Sequence, residues 1–171
     1  MAGLRRHARV RAHKEVAVIQ MLASANAVYL VSLAACLYMT GLIWFVQVVH
    51  YPLFARVGEE AFVAYENAHT RLTTWVVVGP MIAELFTAAL LLVHRPAWFN
   101  LSWAVAGVVL VGVVWLSTFA LQVPMHAILE RGFDAEAQRR LVVTNWVRTG
   151  AWSLRAFLLF VPLFRALQPV S

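Results

Sequence analysis

Residues 64–93 read AYENAHTRLTTWVVVGPMIAELFTAALLLV, and their reading decides the fold. From Thr73 to Val93 the stretch is long enough to cross a bilayer, which takes roughly 20 helical residues, and Glu84 is its one charge. Glu66, His69 and Arg71 stand just before it. Ionisable groups at such places are costly in lipid and usually face a bundle interior or a water-filled cavity. Glu66, His69, Thr73, Pro80 and Glu84 follow one another by steps of three, four or seven, which places them on one helix face.

The whole chain agrees with a membrane reading. Its 171 residues are 62% hydrophobic and 13% charged, against about 25% charged in an ordinary soluble domain. Three further apolar runs join the first, giving expected spans at 28–49, 73–93, 101–121 and 149–167. The expected fold is therefore an all-α integral-membrane protein, an antiparallel four-helix bundle with helical extensions on its outer side. Residues 1–26 read as a basic tail and 27–171 as one membrane domain.

Five of the fourteen basic residues lie in RRHARVRAHK, residues 5–14, and the net charge is +6. Beside a span, this cluster is an orientation signal and an anionic-lipid contact rather than a nucleic-acid surface. It places both termini in the cytoplasm and the protein in an inner or plasma membrane. A rival reading makes VAVIQMLASANA, residues 16–27, the end of a cleaved signal peptide. The single cysteine, Cys36, forms no intramolecular disulfide and reads as a packing residue.

The connections differ in kind. HRPAWFN, residues 94–100, is a tight hairpin broken by Pro96. Residues 56–72 carry Phe62, Tyr65, His69 and Leu72 at helical spacing and should run into the second span. Residues 132–152 begin with Gly132 as a stop and Asp134 as an N-cap, with Glu136 in the first turn, and should run into the fourth.

On this map the polar residues collect at one end. Gln47 and His50 close the first span, Glu66 and His69 open the second, Gln122 and His126 close the third, and Asn145 and Arg148 open the fourth. Glu84 and Arg155 lie deeper. Asn145, Arg148, Trp152 and Arg155 share one face, as do Trp115, Thr118, Gln122 and His126. Turning these faces inward makes a polar cup that opens outward above an apolar floor.

Several chemistries fit such a cup. Glu66 and His69 form a Glu-x-x-His pair, the spacing that aims a carboxylate and an imidazole at one metal in di-iron bundles. His50, His126 and Glu84 are further candidate ligands, and iron or copper the candidate metals. The plainer alternative is an ion pair of Glu66 with Arg71 or Arg148. His50, His69 and His126 are also candidate axial ligands for a non-covalent haem b, with His94 at the opposite end. Glu84 and Arg155 are expected to pair with each other, either fixing helix register or serving as a proton relay and an anion-stabilising cation. Trp44, Trp115 and Trp152 lie near the polar faces, where they pack the core or stack on a flat ligand. No phosphate cradle, nucleophile elbow or ATP motif occurs.

Three stretches carry a family resemblance: GLIWFVQVVHYPLF (41–54), LQVPMHAIL (121–129) and TNWVRTGAWSLRAFLLF (144–160). Together they resemble the small four-span membrane proteins grouped with the anthrone oxygenases. The counterparts of that pattern are Pro52, His126 following Pro124, and Asn145, Arg148 and Thr149. The family has an asparagine where His126 stands. The first stretch is also similar to haem-containing, four-helix protoporphyrinogen oxidases, whose His and Tyr spacing is absent here. Both resemblances imply oxidation of flat, hydrophobic, aromatic molecules.

The sequence thus leads to the expectation of a membrane oxidoreductase of oxygenase type acting on a hydrophobic ring-shaped, quinone- or phenol-like molecule. Arg148, Arg155, Glu84 and Asn145 are the candidate catalytic groups, and His50, His69, His126 and Glu66 the metal, cofactor or acid–base groups. A non-catalytic subunit that binds lipid, haem or a partner helix is the alternative. A small transporter is a third reading, disfavoured by four spans without inverted repeats unless the chain forms a homo-oligomer.

Overall fold

The computed structural model describes the backbone of residues 2–169 and the side chains of residues 20–169, and every element in it is helical. Helix α1 (Ala2–Phe45) continues through a π turn (Val46–His50) into the short α2 (Tyr51–Leu53) and a 3-10 turn (Phe54–Arg56). Helix α3 spans Glu59–Val93. Helix α4 (Leu101–Ser117) passes through a second π turn (Thr118–Gln122) into α5 (Val123–Leu129), and α6 spans Ala135–Ala166. The basic cluster at residues 5–14, and residues 16–19 of the alternative signal-peptide segment, lie outside the described side chains.

Four helical stretches are long and apolar enough to cross a membrane: Gln20–Arg56, Glu59–Val93, Leu101–Leu129 and Ala135–Ala166. Each is longer than the expected span, because the patterned connections are themselves helical. The 35 residues of α3 extend about 52 Å at roughly 1.5 Å per residue, against a hydrocarbon core about 30 Å thick. Local chemistry explains where the helices start and stop. Asp134 caps α6, its carboxylate accepting from the Ala137 amide at 2.7 Å, and Gly132 supplies the positive φ that ends the preceding turn.

Helix α1 packs against α3 and α6, and α4 packs against the same two helices from the other side. Between them lies the core, with Cys36, Phe54, Phe62, Leu129 and Leu141 wholly buried. At the hairpin end, Tyr29 meets Trp98 and Phe99 edge-to-face, with ring centroids 4.7 and 5.1 Å away, and its hydroxyl donates to the Leu159 carbonyl. His94 sits at this same end, hydrogen-bonded to Ser24 at 2.8 Å. Large apolar side chains such as Trp75, Phe86 and Leu116 cover the outward faces.

The two π turns have one physical cause. A proline has no N–H, and its ring pushes against the carbonyl four residues earlier. For Pro52 and Pro124 those carbonyls belong to Val48 and Ala120, each inside a π turn. The helix relieves the clash by widening: the Tyr51 amide reaches back to Val46, and the Val123 amide to Thr118. One inserted residue rotates everything downstream by about 100°. Such turns often mark functional sites, and both of these lie at the end where the polar residues collect.

Candidate functional site

The inward stripe of α3 is the one its spacing foretells: Phe62, Glu66, His69, Met81, Glu84, Ala88 and Leu91 are buried. On α6 the buried face carries Asn145, Arg148, Thr149, Trp152 and Arg155. At one end of the molecule these faces meet the two π turns, and there a continuous hydrogen-bonded network runs from Gln47 through Asn145, Arg148, Tyr51 and His126 to Glu66.

The network is anchored by Gln47, whose amide donates to the Val142 carbonyl at 3.0 Å. Its Oε1 accepts from the Asn145 amide at 2.9 Å and from the Thr149 hydroxyl at 3.3 Å. Asn145 Oδ1 in turn accepts twice from Arg148, at 2.9 Å from Nε and 2.6 Å from Nη2, so the guanidinium is locked in orientation. Arg148 Nη2 also donates to the Tyr51 hydroxyl at 3.1 Å. That hydroxyl lies 3.0 Å from His126 Nε2, and His126 Nδ1 lies 2.5 Å from Glu66 Oε1.

Donor logic assigns the protons along this chain. Arg148 can only donate, so the Tyr51 oxygen accepts from it and directs its own proton to His126 Nε2. Neutral His126 then carries its proton on Nδ1, facing the carboxylate. Glu66–His126–Tyr51 is an acid, base and hydroxyl in series, ending at a fixed cation. Glu66 is wholly buried, and its second oxygen, Oε2, has no partner among the described residues, so His126 is the one side chain there that its carboxyl group engages.

A cavity of about 270 Å³ opens beside this chain, lined among others by Tyr51, His69, Thr73, Gln122, His126 and Arg148. It lies near the lower end of the range for small-molecule sites, roughly 300–1,000 Å³. A second pair borders it: His50 Nε2 and His69 Nδ1 are 2.8 Å apart, and the Thr73 hydroxyl is 3.1 Å from the same Nδ1.

Of the residues singled out in the sequence, Glu66, His50, His69, His126, Asn145 and Arg148 are brought together. Glu84 and Arg155 are not part of this cluster. They pair deeper between the helices at 2.6 Å, with Glu84 also accepting from Trp152 Nε1 at 2.7 Å and Arg155 donating to Ser32 at 2.9 Å. Glu66 pairs with neither Arg71 nor Arg148. Its buried position gives it His126 instead, while Arg71 is exposed. Trp44 is exposed and donates to Ser153 at 3.0 Å, Trp115 is half-buried against the apolar core, and Trp152 is buried with its indole on Glu84.

Tyr51 and Gln47 join the site without having been singled out as functional groups. The signal for Tyr51 is its place between His50 and Pro52, where the π turn swings it inward.

The donors do not fit a metal as they are placed: among the described residues no three His, Cys, Asp or Glu side chains are set to hold an ion. They are closed onto one another in the pairs His50–His69 and Glu66–His126. The rings of His50 and His69, and those of His69 and His126, have centroids 4.7 and 5.3 Å apart, which leaves no room for a porphyrin plane between the members of either pair. No family model, curated protein or solved structure matches the chain.

Proposed function

We propose that this protein is an integral-membrane oxidoreductase of oxygenase type, built as an antiparallel four-helix transmembrane bundle. Its substrate is a hydrophobic ring-shaped molecule, quinone- or phenol-like. The observation that carries the proposal is the Glu66–His126–Tyr51–Arg148 series bordering a cavity between apolar helices. The four apolar stretches and the outward-facing large hydrophobics support insertion in a bilayer. The basic tail supports an inner- or plasma-membrane location with cytoplasmic termini and the cup facing outward.

The chemistry follows from the proton order. His126, polarised by the Glu66 carboxylate, draws the Tyr51 proton, and the Tyr51 oxygen takes an acidic ring proton from the substrate. Arg148, held by Asn145, faces the oxyanion that this leaves on the ring, a preorganised stabilisation of developing charge. The resulting electron-rich ring carbon reduces dioxygen, the second substrate, forming a C–O bond. The proton taken first returns to the peroxide oxygen, and loss of water with the second C–H proton leaves a carbonyl. In sum, one ring methylene and one dioxygen become one ring carbonyl and one water. The resemblance to anthrone oxygenases supports this reaction class. Glu84 and Arg155 stay outside the chemistry and hold the helices in register.

The test is oxygen uptake by the protein in lipid nanodiscs, given an anthrone, whose ring methylene the reaction requires. Wild type should consume oxygen, and His126→Ala should lose about 10²–10⁴-fold of the rate, the usual worth of general acid–base catalysis. A wild-type protein that does not turn over the anthrone yet co-purifies with lipid or a partner helix would replace this reading with a non-catalytic subunit.

A further inference from the structure

A second cavity, about 210 Å³, lies on the outward flank between the first and second helical stretches, lined by Leu42, Phe45, Val46, His50, Leu72, Thr73 and Val76. Phe45, Leu72 and Val76 are exposed, so the groove opens away from the helix interior. Its polar groups are confined to one end, at His50 and Thr73. Thr73 lines both this groove and the inner cavity, His50 lines the groove and His69 the inner cavity. The hydrogen-bonded His50–His69 pair is thus the partition between the two spaces. His50 uses Nε2 in that pair, and its Nδ1 has no hydrogen-bond partner among the described residues. The Phe45 ring lies nearly parallel to the His50 ring, with an interplanar angle of 23°.

We infer that this groove is a second ligand site, distinct from the cup, for a membrane-borne ring that carries a carbonyl or hydroxyl and an apolar tail. The ring's polar group hydrogen-bonds to His50 beside Phe45, and the tail lies along Leu42, Leu72 and Val76 towards the lipid. A fully apolar lipid chain would leave His50 Nδ1 without a partner. A hydrophilic molecule would not enter a groove whose remaining wall is aliphatic and aromatic. The His50–His69 pair then links the occupant to the cup through a proton-bearing contact, so the two sites sense each other's protonation. The inference rests on reading the four stretches as membrane spans, and it does not depend on which reaction the cup performs.

The probe is a benzoquinone whose decyl tail carries a diazirine, irradiated with the full-length protein in phosphatidylcholine nanodiscs and mapped by peptide mass spectrometry. Adducts should fall on Leu42, Phe45, Leu72 or Val76. Val76→Trp, which fills the groove from its exposed rim, should lower those adducts about tenfold, the equivalent of roughly 1.4 kcal/mol, while leaving oxygen uptake at the cup unchanged. Adducts confined to Val77, Val123 and Ala127 on the cup wall would overturn the groove site and leave the oxygenase reading standing. So would groove adducts undiminished in a folded Val76→Trp protein, or no adducts at all. Groove adducts from a protein that consumes no oxygen would sustain the second site and count against the oxygenase.

Discussion

Removing the cation from the deep Glu84–Arg155 pair is the sharpest test of how these helices are held. Both side chains are almost wholly shielded, at 2% and 1% exposure. Arg155→Met keeps an apolar stem in place but deletes the donor 2.6 Å from Glu84 Oε1 and the one 2.9 Å from Ser32. The stranded carboxylate then keeps only the Trp152 indole. Breaking a buried pair from one side costs about 3–5 kcal/mol, whereas replacing both partners by apolar groups is often close to neutral. For a chain of this length that loss corresponds to a fall in Tm of roughly 6–20 °C. Glu84→Met should cost a similar amount, because it strands the guanidinium. The double replacement should lose far less than the roughly 6–10 kcal/mol sum of the singles, leaving mainly the unmet Trp152 donor and Ser32 acceptor, about 1–3 kcal/mol each. Unfolding of the four proteins in mixed micelles, followed by circular dichroism, reads all of these values. Single variants within about 0.5 kcal/mol of wild type, or a double variant at the sum of the singles, would refute the pairing.

Three further outcomes follow from the network above it. Tyr51→Phe removes only the hydroxyl between Arg148 and His126, so turnover should fall about 10²–10⁴-fold with the helical circular dichroism unchanged. Asn145→Leu leaves the Gln47 acceptor and the Arg148 donors without their shared partner; stability in micelles should drop by about 1–3 kcal/mol and turnover should fall with it. Asp134→Ala deletes the α6 cap, costing about 1 kcal/mol while leaving the cup's oxygen uptake at the wild-type rate.

Periodicity made much of this arrangement legible. The faces Glu66–His69–Glu84 and Asn145–Arg148–Arg155 can be read by counting, because an α-helix repeats every 3.6 residues, and burial follows from the cost of leaving such groups in lipid. The pairing of Glu84 with Arg155 followed from the same cost. What counting could not supply was any contact set by the bundle's cross-section. Glu66 finds His126 sixty residues away, and a spacing rule within one helix is silent about that. Tyr51 was obscured for a different reason: regular helical phasing misplaces everything after the π turn at Val46–His50. The prolines that cause these turns were visible, but their effect on facing appears only once the carbonyls of Val48 and Ala120 are traced.

Whether the cup transfers oxygen to a ring is read most directly from the mass of the product. The protein in nanodiscs is given an anthrone under heavy-isotope dioxygen, and the product is analysed by mass spectrometry before its carbonyl can exchange with water. A single labelled oxygen atom should appear in the ring ketone formed by wild type, and this product should be lost in His126→Ala. A product that carries no label, or one formed equally by His126→Ala, would contradict oxygen transfer by the cup.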